Sequence, residues 1–124
     1  MNLNTLFKIN TVTAGLFGLG FVIAPAAVLA PYGVSQELIN GSVMMAKWFG
    51  ASNIGFAVLF WFLSNAPDSD VKITVAKAMC IGFAVGCLVS IQNQMTGEIN
   101  SIGWSTVALY GLFSLGYGKF GFGK

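Results

Sequence analysis

Apolar residues fill four long stretches of the chain, at about residues 7–29, 38–63, 71–94 and 102–117, and polar residues collect in the joints between them. The second stretch, LINGSVMMAKWFGASNIGFAVLFWFL, is broken by a single cation, Lys47. As a helix it would reach ~39 Å, more than the ~30 Å hydrocarbon thickness of a bilayer. Runs this long and this apolar predict membrane-crossing helices, not strands with alternating faces.

The joints carry stop and turn chemistry. Pro25 and Pro31 set the end of the first stretch, and Ala30-Pro31-Tyr32-Gly33 predicts a turn in which Gly33 can take positive φ. Ala24-Pro25-Ala26 also looks like a signal-peptidase site, but the reading adopted is a retained first span. Ser35 is the expected cap of the second helix, with Glu37 in its first turn against the positive helix end. Ser64-Asn65-Ala66-Pro67 closes that helix, and Asp68 or Ser69 is placed to cap the third. Gln92-Asn93-Gln94 marks the exit of the third helix, and Thr96-Gly97-Glu98 makes the last turn. The final segment, Lys119-Phe120-Gly121-Phe122-Gly123-Lys124, is too glycine-rich for a helix and too aromatic for a solvated tail, so it is expected along the membrane interface.

Composition sharpens this picture. Only 8% of the 124 residues are charged and 56% are hydrophobic, against roughly 25% charged in an ordinary soluble domain. Four spans leave no length for a separate soluble domain. The expectation is one all-α domain over residues 1–124, an integral membrane four-helix bundle.

Charge then orients the bundle. Four crossings put both termini and the second joint on one face, which collects Lys8, Lys72, Lys77, Lys119 and Lys124, while the opposite joints hold Glu37 and Glu98. By the positive-inside rule the termini face the cytoplasm or its equivalent, in a bacterial inner membrane or an organelle membrane. Trp48, Trp104, Tyr110 and Tyr117 fall near the expected span ends, as an aromatic belt requires.

Candidate chemistry is sparse. There is no Arg and no His, so there is no guanidinium fork for phosphate and no imidazole, and nucleic-acid binding is not expected. Cys80 and Cys87 are a helical ~10 Å apart along the axis, too far to bridge, and read as small packing residues. No nucleophile sits with a base, no carboxylates pair within a span, and no metal site can be assembled from the two cysteines. Gln92, Asn93, Gln94 and Asn100 offer side-chain oxygens to a pigment metal, but polar residues at a helix exit need no such role. No catalytic residue is named, and an enzyme is not expected.

Two groups of residues remain as site candidates. Helices in lipid associate through close backbone packing, so small residues mark contact faces. The best run is Ala78, Gly82, Gly86 and Ser90 on the third helix, read first as packing within the chain and second as a face for another subunit, with Ala14 and Gly18, Gly20 and Ala24, Ala51 and Gly55, and Ser114 and Gly118 as weaker pairs. Lys47 is the other candidate. It either snorkels to the acidic face, toward Glu37 or Glu98, or holds a lipid headgroup, an anionic ligand or a partner's carboxylate within the membrane. Asn53, deeper in the same span, reads first as a bond to a neighbouring helix and second as a ligand group.

The run Gly18-Leu19-Gly20-Phe21, Ala24-Pro25-Ala26, Tyr32-Gly33-Val34, Gly50-Ala51, Asn100, Gly103-Trp104 and Leu109-Tyr110 resembles the small four-span proteins of the DoxX-like group. That resemblance implies a four-helix membrane fold and transfers no catalytic residue. The expected function is that of a non-catalytic accessory or structural subunit in a larger membrane complex, photosynthetic or respiratory, touching lipids, other membrane subunits and bound lipid or pigment. The alternative is a small carrier or ligand-binding bundle that uses Lys47 and Asn53.

Overall fold

The computed structural model describes residues 1–123, and Lys124, expected on the lysine-rich face, lies outside the described residues. The described residues are helical with no strand, in the order α1 (Leu3–Ile23), α2 (Pro25–Leu29), a 3-10 turn (Ala30–Tyr32), α3 (Gln36–Asn65), α4 (Asp70–Met95) and α5 (Gly103–Gly121). Three of them, α1, α3 and α4, are long and apolar enough to cross a membrane. The fourth expected span is not among these, because the glycines, serines and Lys119 of α5 dilute its apolar content. The chain divides into two compact units, Met1–Ala66 and Pro67–Lys124.

The first unit is an antiparallel pair, α1 against α3. Asn2 caps α1 by accepting the Thr5 amide at 2.9 Å, and Ser35 caps α3 by accepting the Leu38 amide at 3.3 Å, satisfying donors that a helix start leaves free. The first span is shorter than expected. Proline has no N–H to donate and pushes the residue before it out of helical geometry, and Ala24, at φ −142° and ψ 64°, ends α1 one residue after Ile23. Pro25–Leu29 then forms a helix of its own that folds back, so that a Cβ on Gly20 would lie 2.8 Å from the Val28 side chain. Gly33, at φ 74°, supplies the left-handed residue that the turn needs.

The second unit pairs α4 with α5. Ser69 occupies the cap position of α4 without its hydroxyl bonding the helix, and Asp70 stands in the first turn, where a carboxylate suits the helix dipole. Gly97, at φ 80°, turns the chain toward α5. The expected irregular tail is corrected here, since α5 runs on through Lys119 and Phe120 to Gly121. A Cβ at Gly121 would stand 2.9 Å from the Lys77 amide nitrogen, so the glycine that weakens the helix intrinsically also lets its last turn lie against α4.

Candidate functional site

The α1–α3 seam is built from small residues and a few rings. A Cβ on Gly18 would meet the Gly50 carbonyl oxygen at 2.9 Å, and a Cβ on Gly50 would meet the Gly18 oxygen at 2.7 Å, so the two backbones touch. Phe7 stacks on Phe60 at 5.9 Å and Phe21 meets Phe49 edge-on at 5.3 Å. The Thr11 hydroxyl donates to Phe7 O at 3.0 Å and Ala57 O at 3.2 Å, tying the two helices. Sequence reasoning paired Ala14 and Gly18 on α1 and missed Thr11 and Gly50. On α3 it chose Ala51 and Gly55, which are exposed. The buried residues Ile39, Ala46, Gly50, Ala57, Phe60 and Ser64 follow three-, four- and seven-residue steps, the signal that finds this seam.

That register settles the level of Lys47. Counting on from the Phe21–Phe49 pair, Lys47 stands level with Ile23, the last residue of α1. It is exposed, as are Glu37 in the first turn of α3 and Glu98 in the turn after α4. Asn53 is half-buried toward α1. At about 100° per residue, Lys47 and Asn53 lie about 120° apart around α3, so the helix does not aim them at one point.

The α4–α5 seam follows Ala76, Cys80, Phe83, Cys87 and Gln94, with Gly103, Tyr110, Ser114, Tyr117 and Gly121 opposite. The Ser114 hydroxyl donates to Cys80 O at 2.9 Å, and the Cys87 thiol lies 3.6 Å from Val107 O. Phe83 centres an aromatic cluster, 5.0 Å from the Phe113 ring, 5.7 Å from Tyr110 and 5.9 Å from Tyr117. Tyr117, expected in an interfacial belt, is fully buried, whereas Trp48 and Trp104 are exposed. The run Ala78, Gly82, Gly86 and Ser90 meets this seam at Gly86 and does not follow it. Ala78 and Gly82 are exposed, with no atom within 4 Å of a Cβ built on Gly82, while Gly86 would meet the Tyr110 ring at 2.9 Å and Ser90 is half-buried. A strict four-residue step drifts around a helix by about 40° each time, and the contact instead alternates three and four.

At the end of α4 the Gln94 amide, the Asn93 main-chain carbonyl and, in the turn, the Asn100 side chain are engaged in holding the turn. Gln94 Nε2 donates to Asn100 O at 2.7 Å, Asn93 O accepts the Thr96 hydroxyl at 2.7 Å, and Asn100 Oδ1 accepts the Ile102 amide at 3.0 Å. Among the described residues no three His, Cys, Asp or Glu side chains group as a metal would need.

The opposite end of this hairpin carries three lysines, each with its own contact. Lys72 is buried, with its ammonium 3.5 Å from the exposed Asp68 carboxylate. Lys77 and Lys119 are exposed, and each ammonium stands 5.7 Å from the centroid of a ring, Phe122 and Phe120 respectively. Such cation–π contacts hold charge at the edge of apolar surface without a counter-ion.

No curated protein and no solved structure matches the chain. A family model matches residues 8–121, nearly the whole of both hairpins. The chain therefore belongs to the family described as Domain of unknown function (DUF8292).

Proposed function

We propose that this is a non-catalytic integral membrane protein, crossing the bilayer four times as two helical hairpins and serving as an accessory or structural subunit of a larger membrane complex, in contact with lipid or pigment. One observation carries the reading: large apolar side chains face outward along every long helix. Leu16 on α1, Phe62 on α3 and Leu88 on α4 are each 67% exposed, and Leu115 on α5 is 74% exposed. Water would not tolerate such surfaces over whole helices, and lipid or another apolar subunit does. Three polar side chains between helices, Thr11, Ser114 and Cys87, hydrogen-bond backbone carbonyls across the seams, which supports a structural role. The four-helix fold implied by the DoxX-like resemblance is consistent with this reading, with α5 as the fourth crossing.

The test is isolation from the native membrane in mild detergent. The protein is expected to resist alkaline extraction and to migrate with other membrane subunits on a native gel. A monodisperse, partner-free monomer would overturn the subunit role, and release by alkali would overturn membrane embedding.

A further inference from the structure

We propose that α3 is the contact of a two-fold homodimer, in which the Asn53 amide and the Ser52 hydroxyl of one copy hydrogen-bond Ser52 and Asn53 of a second copy of this chain. The proposal rests on the membrane placement argued above and goes further, naming a partner and the residues that meet it. Its first support is a pair of unused polar groups. Ser52 and Asn53 stand in the middle third of α3 (Gln36–Asn65), and among the described residues neither side chain has a hydrogen-bond partner. Thr11, Ser64 and Ser114, by contrast, direct their hydroxyls to backbone carbonyls. Ser52 is exposed, Asn53 is half-buried, and the Asn53 amide reaches the surface. In hydrocarbon no water satisfies such groups, so their partners have to come from another helix.

The second support is geometry. At about 100° per residue, Phe49 and Phe56 fall within about 20° of one line along α3, and Ser52 and Asn53 stand between the two rings, about 50° to either side of that line. The line is open: Phe49 is 46% and Phe56 45% exposed. Every copy enters the membrane in the same orientation, so the axis of a two-fold dimer runs along the bilayer normal and each residue faces the second copy at its own depth. Rotation by 180° about that axis sets the Asn53 side of one helix against the Ser52 side of the other. Asn53 Nδ2 then donates to Ser52 Oγ across the axis, symmetry forms the reciprocal bond, and the Phe49 and Phe56 rings close the contact above and below.

The third support selects a second copy over a different partner. A two-fold contact repels itself wherever it carries a charge near the axis, and this face carries none. The charged residues of α3, Glu37 and Lys47, lie about 110° and 170° from the Phe49–Phe56 line. An amide and a hydroxyl each donate and accept, so the same two residues complement themselves under the rotation. A lysine or a carboxylate does not.

The experiment is oxidative cross-linking of the full-length protein in the membrane, in a Cys80→Ala/Cys87→Ala background. Met45→Cys, exposed and within about 30° of the line, is expected to form a disulfide between copies, and Met44→Cys, about 130° from it, is not. Two differently tagged copies, co-expressed and extracted in mild detergent, report the strength of association. Asn53→Leu and Ser52→Ala should each weaken it about tenfold, since either removes both reciprocal bonds, and Asn53→Gln, which keeps an amide, should retain it. No disulfide from Met45→Cys, equal cross-linking from Met44→Cys, or full association of the Asn53→Leu chain would each overturn the proposal. The Met45→Cys result stands whether or not Asn53→Leu folds. A chain that migrates with other membrane subunits but without a second copy of itself refutes this contact and leaves the subunit role standing. A homodimer free of other subunits does the reverse.

Discussion

Gly18 and Gly50 meet backbone to backbone, and any side chain at either has to push α1 and α3 apart. Gly50→Leu is expected to destabilise the first hairpin by about 1–3 kcal/mol, the usual range for overpacking, measured as a lowered denaturation midpoint in detergent. Gly82→Leu is the counter-test. With open space around Gly82, its midpoint should match wild type, and a fall as large as that of Gly50→Leu would mean that the exposed face of α4 is in fact covered. Ser114→Ala removes the bond to Cys80 O and should cost about 0.6 kcal/mol, typical of a side-chain hydrogen bond inside a membrane protein. Lys47 is level with the end of α1, which under the proposed membrane placement is the end of a span, within snorkelling reach of the interface. Lys47→Met is accordingly expected to insert and assemble as wild type does, and a failure to assemble would restore the partner or ligand role weighed for this lysine.

Among the elements, the last turn of α5 shows most clearly how packing decides local structure. Glycines at positions 118 and 121 are poor helix formers, yet each stands where a Cβ would press on α4, at the Cys80 sulfur and the Lys77 backbone. Contact with α4 holds the turn that propensity alone would release. Gly121→Leu should therefore free this turn, raising amide exchange at Lys119 and Phe120 while leaving Tyr110 protected. Equal protection in the variant would show that the turn is stable without α4. The break at Pro25 is of the opposite kind, dictated by a residue that has no amide hydrogen wherever it is placed.

At the scale of the molecule, the four crossings proposed above would put the joint at residues 66–69 on the same side of the bilayer as both ends of the chain. Single cysteines introduced at Asn2, Asp68 and Phe122, in a Cys80→Ala/Cys87→Ala background, should react with an impermeant thiol reagent from one side, and cysteines at Glu37 and Glu98 from the other. Labelling of positions 98 and 122 from the same side would show that α5 lies along the membrane and that the crossings number three.

Length and apolar content alone placed α3 and α4 within about two residues at each end and α1 within about six, because a helix long and apolar enough to cross a membrane shows that character position by position. Ser35, Pro25 and Gly33 were legible for the same reason, each acting through its own backbone chemistry. The contact faces were not. When nearly every position is apolar, periodicity no longer marks which side meets a neighbour, and the run Ala78-Gly82-Gly86-Ser90 looked better than the Cys80-Phe83-Cys87 seam that packs against α5. Nor did the linear order show that Lys77 and Lys119, 42 positions apart, share one level, or that Tyr117 turns inward. Solvation belongs to each residue separately, and the sequence states it. Pairing belongs to two helices in register, and only the tertiary structure decides it.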